Sequence, residues 1–248
     1  MTGPRAAPAW RAVLAMTVME LRLALRRGES LVVTLVVPAA VLVFFGTVQI
    51  LPTSVDQLVA ATLAIAIVAT GLVSLGIGAA YDRHYGVLKR LGGSPLPRWG
   101  IVAARILAVL VTEAVLVALL LAVAGLVLGW QPGSGADPAV LTAATALGTA
   151  AFAGLGLTLA GRLRAEATLA LANALFVALL LAGGLLVPPE ALPQPLGAVA
   201  AILPSGALVE TLAAGLGVPG AEAMPSLAIL TAWGLGLALV AGSSFRVE

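Results

Sequence analysis

From Leu31 to Leu51 the chain runs without one charged side chain. Comparable apolar runs return over about 57–80, 100–129, 139–161, 167–187 and 224–242, broken by charge only in the third, at Arg105 and Glu113. A helix rises about 1.5 Å per residue, so about 20 apolar residues cross a hydrocarbon core of about 30 Å. Membrane-spanning strands would instead need roughly ten-residue stretches of alternating polarity, which these runs lack. Only 10% of the residues are charged, against about 25% in soluble domains. The sequence therefore predicts an all-α polytopic membrane protein, one domain over residues 1–248, with six transmembrane helices. Turn chemistry separates the first two spans at Leu51-Pro52-Thr53-Ser54, and the third and fourth at Gln131-Pro132-Gly133-Ser134-Gly135.

Six spans sort the charges by side. Arg5, Arg11, Arg22, Arg26 and Arg27 precede the first span. Arg83, Lys89, Arg90, Arg98 and Arg105 lie between the second and third or just inside the third. Arg162 and Arg164 join the fourth and fifth, and Arg246 follows the sixth, so all 13 cations fall on one side. The other side holds Asp56, Asp137, Glu190, Glu210 and Glu222. The positive-inside rule then places both termini in the cytoplasm. An odd number of spans would destroy the segregation. The net charge of +2 thus reflects membrane topology, and no nucleic-acid partner is expected.

Two segments flanking the spans have patterns of their own. Over 9–28, Trp10, Leu14, Val18, Leu21 and Leu25 form a stripe at helical spacing, with Arg11, Arg22 and Arg26 on an adjoining face and Met16 and Leu23 elsewhere. This predicts a basic surface helix anchored in the membrane, free also to touch a cytoplasmic partner. Glu20, Arg22, Arg26 and Arg27 interrupt any long apolar core there, so a signal peptide is not expected. Residues 188–222 hold two apolar pieces of about a dozen residues divided by Pro204, too short to span. They predict an outer re-entrant hairpin, with Ser205 capping a helix over about 206–214.

No motif for enzyme chemistry occurs: no H-E-x-x-H, no G-x-S-x-G, no cysteine, and one histidine, His84. A single imidazole can titrate near neutrality but cannot build a His-based metal cluster. Glu113 lies about 12 Å beyond Arg105 along the third span. A carboxylate at that depth costs about 2.5–3.5 kcal/mol, so it must face protein or a watery cavity. It reads either as part of a substrate path or cross-dimer contact, or as a hydrogen-bonded structural group. Asn173 in the fifth span reads as an interhelical hydrogen bond. Ser74 and Gly78, Ala150, Gly154 and Thr158, and Gly234, Ala238 and Gly242 recur at four-residue spacing and predict close helix packing or a homodimer seam. Pro38 predicts a kink in the first span.

The most polar stretch is Tyr81 to Arg98, YDRHYGVLKRLGGSPLPR. Asp82 is placed to cap a short amphipathic helix ending at Leu91 before Gly92-Gly93, after which Ser94-Pro95-Leu96-Pro97 redirects the chain. On pattern alone this is either a surface helix against lipid headgroups or a peg for a cytoplasmic protein.

This stretch resembles the cytoplasmic loop of type-2 ABC exporter permeases, the group that includes the daunorubicin-resistance permeases. Asp82-Arg83, Gly86, Leu91 and Ser94-Pro95 match its pattern, while His84 replaces a second acid and Val87 stands where threonine is common. The Pro-rich apolar outer segment, the N-terminal elbow helix and the six-span layout are similar too. The resemblance implies two permeases pairing, as a homodimer or with a paralogue, in the bilayer of a bacterial plasma membrane above separate ABC ATPase subunits. It implies that Asp82, Arg83, His84, Gly86, Leu88, Lys89, Leu91, Ser94 and Pro95, with the elbow, transmit ATPase movements to the spans. The chain itself has no Walker A, since Lys89 is followed by Arg90. No cofactor is then expected on this chain, ATP and Mg residing on the ATPase. An almost uncharged lining implies export of an amphipathic, drug-like or lipid-like substrate. An ion-coupled secondary transporter would require broken helices or acidic pairs in a repeat; a non-transporting scaffold is the other alternative.

Overall fold

The computed structural model describes residues 8–26, 28–48, 54–87 and 98–244. They form a helical bundle: α1 (Ala9–Arg26), α2 (Gly28–Val48), α3 (Val55–His84), α4 (Arg98–Leu128), α5 (Pro138–Arg162), α6 (Ala165–Ala182), a short pair α7 (Leu196–Ile202) and α8 (Pro204–Gly215), and α9 (Ala223–Ser244). In hydrocarbon every backbone polar group must be satisfied within the segment, and a continuous helix does so. Among the described residues five helices, α3, α4, α5, α6 and α9, are long and apolar enough to cross a bilayer. The bent pair α7–α8 would count as a sixth crossing if taken as one span.

α2 is the segment expected as the first span, and its packing shows which way it runs. It leaves α1 at the end where α3 finishes, and its Gly46 meets the Leu128 side chain at the opposite end of α4. Its 21 residues cover about 31 Å, and the helix passes through Pro38. With α2 traversing, Glu20, Asp82, Arg83 and Arg105 gather at one end of the bundle. Asp56, Asp137, Glu210 and Glu222 gather at the other. These are called the basic and acidic ends.

α5 is the central element, packed on α3, α4, α8 and α9. Glycine lets it approach its neighbours backbone to backbone. A β-carbon on Gly154 would lie 2.7 Å from the Leu237 carbonyl carbon in α9, and one on Gly156 would lie 2.7 Å from Gly71 O in α3. Around these approaches Leu63, Ile67, Leu72, Leu116, Leu120 and Phe152 are fully buried. Buried threonines donate to carbonyls one turn back, Thr62 to Leu58 O at 2.8 Å and Thr158 to Gly154 O at 2.7 Å, which satisfies those hydroxyls within their own helices.

Several expectations change here. The small residues at four-residue spacing do pack closely, but within one chain: Gly154 and Gly234 join α5 to α9. Ser74 and Gly78 do not join them. Residues Ala69–Leu75 of α3 are a π-helix. A π turn inserts one residue and rotates the following face by about 100°, so Gly71 and Gly76 meet α5 while Ser74 and Gly78 turn away from it.

Ser205 is not a helix cap. α8 begins one residue earlier, at Pro204, whose missing N–H suits a first-turn position. The Ser205 hydroxyl instead donates to Gly183 O at 2.5 Å, pinning the end of α6. The fifth span, expected to reach 187, stops at Ala182, where Gly184 adopts φ +82°. α7 and α8 meet at 68° beside Pro204, a bent apolar pair with the geometry of either a re-entrant hairpin or a broken span.

Candidate functional site

The basic end is built on the last turns of α3. Its 30 residues exceed the roughly 20 needed to span, so its last turns can engage other elements. Asp82 therefore does not start a helix, as expected from sequence; it lies in the last turn of α3, which ends at His84. Gly86, with φ +71° and its N–H donating to Arg83 O at 3.0 Å, closes that end. Such a left-handed closing residue favours glycine. Leu88, Lys89, Leu91, Ser94 and Pro95 lie outside the described residues.

Asp82 and Arg83 are neighbours in sequence but reach in different directions. The Arg83 guanidinium donates to Gly161 O at 2.6 Å and to Leu163 O, the exposed carbonyl end of α5. A cation there also meets the negative end of the α5 dipole. Asp82 Oδ2 accepts from Arg105 Nη2 at 2.6 Å. Arg105, just inside α4, is only 3% exposed, and its Nε stands 3.3 Å from Glu20 Oε1 of α1. That contact is an ion pair whose Nε–H has no aligned acceptor. Beside it Thr17 Oγ1 lies 3.3 Å from Ala104 O, fastening α1 to α4. One buried guanidinium thus ties the N-terminal helix, the end of the second span and the start of the third.

α1 resolves its apparent imperfection. Trp10, Leu14 and Val18 of the predicted stripe are exposed, whereas Val13, Met16 and Thr17 are buried against the bundle. The helix has two apolar faces, one for lipid and one for protein. Arg22 and Arg26 are exposed, and Arg11 sits 5.2 Å over the Trp10 ring. At the tip of α3, His84 and Tyr85 are exposed, their rings 5.2 Å apart, and Tyr81 stacks on Tyr85 at 6.2 Å.

The two intramembrane polar residues part company. Glu113 is wholly buried between α4 and α5, its Oε2 accepting from Thr149 Oγ1 and its Oε1 without a hydrogen-bond partner among the described residues. Thr149 also faces Thr145 O at 2.7 Å, and one hydroxyl proton cannot serve both acceptors. Glu113 lines neither of the two cavities described below, and its burial against Thr149 fits the hydrogen-bonded structural alternative. Asn173 is exposed and its Nδ2 donates to Leu169 O of its own helix at 2.8 Å, so within the chain it is not interhelical glue.

Two cavities accompany the site. One, of about 180 Å³, lies at the basic end between α1, α3 and α4. The other, of about 650 Å³, lies at the acidic end beneath the bent pair, with Glu190, Glu210 and Glu222 in its wall. Among the described residues no group of three or more His, Asp or Glu side chains is arranged to hold a metal ion.

Sequence reasoning passed over Glu20 and Arg105. The available signal was Arg105 itself, a cation inside an apolar span that must find a carboxylate or pay heavily for burial.

Fold and site together define a polytopic helical membrane domain with a charge-locked junction at one end and a bent apolar helix pair at the other. The profile of the family described as ABC-2 type transporter matches residues 11–216. The chain belongs to that family, whose members are membrane permease subunits of ABC transporters paired with ABC ATPase subunits. No curated protein matches it.

Proposed function

We propose that this chain is the permease of an ATP-driven exporter of the daunorubicin-resistance kind, with the basic end cytoplasmic in a bacterial plasma membrane. It pairs with a second copy or a paralogue and docks on a separate ATPase through the tip of α3 and the segment that follows it, Asp82, Arg83, His84 and Gly86 among the described residues, with α1 alongside. The observation that carries this reading is the Glu20–Arg105–Asp82 junction together with the Arg83 latch on α5. A force applied at Tyr85–Gly86 reaches α1, α4 and α5 at once, because the Arg105 ion pairs and the Arg83 hydrogen bonds tie those helices to the end of α3. The cargo is amphipathic, drug-like or lipid-like, in keeping with walls that are apolar apart from a few polar groups.

The test is co-reconstitution with the ATPase that co-purifies. Wild-type vesicles should transport on ATP and Mg, whereas Arg83→Gln or Gly86→Ala should leave the protein folded and lower the transport obtained per ATP hydrolysed. Transport driven by an ion gradient without ATPase would overturn the proposal in favour of a secondary transporter.

A further inference from the structure

Asn173 sits at the middle of α6, eight residues and about 12 Å beyond Ala165, and its side chain is exposed. An amide carries two donors and an acceptor with two lone pairs. One N–H is spent on Leu169 O at 2.8 Å. The second N–H and Oδ1 have no partner among the described residues. Hydrocarbon supplies neither donor nor acceptor at that depth, so the remaining amide groups call for a protein partner.

The face that carries Asn173 is uncovered. Ala165, Thr168 and Ala172 are buried and turn the opposite side of α6 toward the bundle. About 100° round the helix from Ala172, Ala170, Asn173 and Val177 are exposed and Leu180 is half-buried. Their spacing of three, four and three residues is that of a seam between two helices packed side by side. Asn173 and the buried Thr168 are the only polar side chains between 167 and 182, so this face does not line a watery path. An amide both donates and accepts, so it satisfies an identical amide across a two-fold axis. We propose that two copies of this chain meet along this face of α6, Asn173 Nδ2 of each donating to Oδ1 of the partner's Asn173. One asparagine in an apolar seam also fixes the register of the two helices. This deepens the permease reading, from which it takes the pairing, and names the second subunit as an identical chain.

The chain has no cysteine, so single cysteines placed in the full-length protein each report one position. Val177→Cys, with Asn173 kept, is oxidised briefly with copper phenanthroline in phosphatidylcholine vesicles over a series of protein-to-lipid ratios. A disulfide requires β-carbons about 3.5–4.5 Å apart, so this variant should cross-link to a dimer. Leu171→Cys, exposed on the other flank of α6, and Leu239→Cys, 73% exposed on α9, should not. Adding Asn173→Val to Val177→Cys should raise the ratio needed for half-maximal cross-linking about tenfold, the effect of two interhelical hydrogen bonds. Asn173→Gln, which keeps donor and acceptor, should recover most of that loss, and circular dichroism should show the same helix content throughout. Cross-linking at Leu171→Cys or Leu239→Cys equal to that at Val177→Cys, or unaffected by Asn173→Val, overturns the face. A chain that stays monomeric at every ratio also overturns it, and leaves the permease reading standing with a paralogue as second subunit. ATPase and nucleotide are absent from this assay. Wild-type vesicles that fail to transport on ATP with the co-purifying ATPase would overturn the permease reading and leave the face standing.

Discussion

Arg105 is the residue whose loss the structure makes most costly. At 2.6 Å from Asp82 and an effective dielectric of about 20, the gross attraction is about 6 kcal/mol. Desolvation of the guanidinium offsets much of it, and Asp82, about a third exposed, retains part of its hydration and screening. A net coupling of about 2 kcal/mol remains, above the 0.2–1 kcal/mol typical of surface pairs. The perturbation is a double-mutant cycle of Asp82→Asn and Arg105→Gln, followed by thermal unfolding of the purified protein. For a chain of this size about 2 kcal/mol corresponds to a shift of roughly 4–8 °C. The single variants should each lose stability, Arg105→Gln more, because it leaves two carboxylates facing one another. The double variant should lose less than the two losses together. Additivity within about 0.5 kcal/mol would mean the junction is not a mechanical unit, and the route from the tip of α3 to α1 and α4 would fall with it.

Other consequences follow from particular contacts. Gly86→Ala meets no atom within 4 Å but must hold φ +71°, so it should cost about 1–2 kcal/mol, with Gly86→Asn milder; both are read from unfolding and from the ratio of transport to ATP hydrolysis. Gly156→Ala places a methyl 2.7 Å from Gly71 O, whereas Gly236→Ala meets nothing. The first should lose about 1–3 kcal/mol and the second almost nothing, and equal unfolding temperatures would refute the close α3–α5 packing. Thr149→Val strips Glu113 of its partner and should cost about 1–3 kcal/mol. A stability profile unchanged from wild type would remove Glu113 from the structural core. Ser205→Ala should cost about 1 kcal/mol without loss of helix content by circular dichroism, since the hydroxyl ties α8 to α6 rather than capping α8.

How far the sequence could be read depended on the kind of pattern. Long apolar runs and one-sided cations are properties of the chain in order, whereas Gly86, read as lying within a helix from Asp82 to Leu91, in the structure closes α3 at φ +71°. Residues read from local spacing fared worse. Ser205 and Asp82 both look like helix starts because each precedes a helix-compatible stretch. In the structure α8 begins at Pro204 and α3 runs past Asp82, so both side chains are spent on distant partners, Gly183 and Arg105. Ser74 and Gly78 had the right spacing and the wrong face, since the π turn shifts the register in a way no four-residue repeat records. Met16, which looked out of place on α1, faces protein because that helix is covered on two sides.

By itself, the order of residues determined that this chain is a helical membrane domain, which end of it is basic, and which loop carries its polar chemistry. The physical reason is that lipid punishes each unpaired backbone group and each misplaced charge locally, so the constraint is written residue by residue. Only the tertiary structure decided that Glu20, Asp82 and Arg105 meet, that Arg83 closes the end of α5, and that Ser74 faces a cavity. Those outcomes depend on where three helices cross, and pairing energies between residues 23 and 85 positions apart leave no periodic trace along the chain.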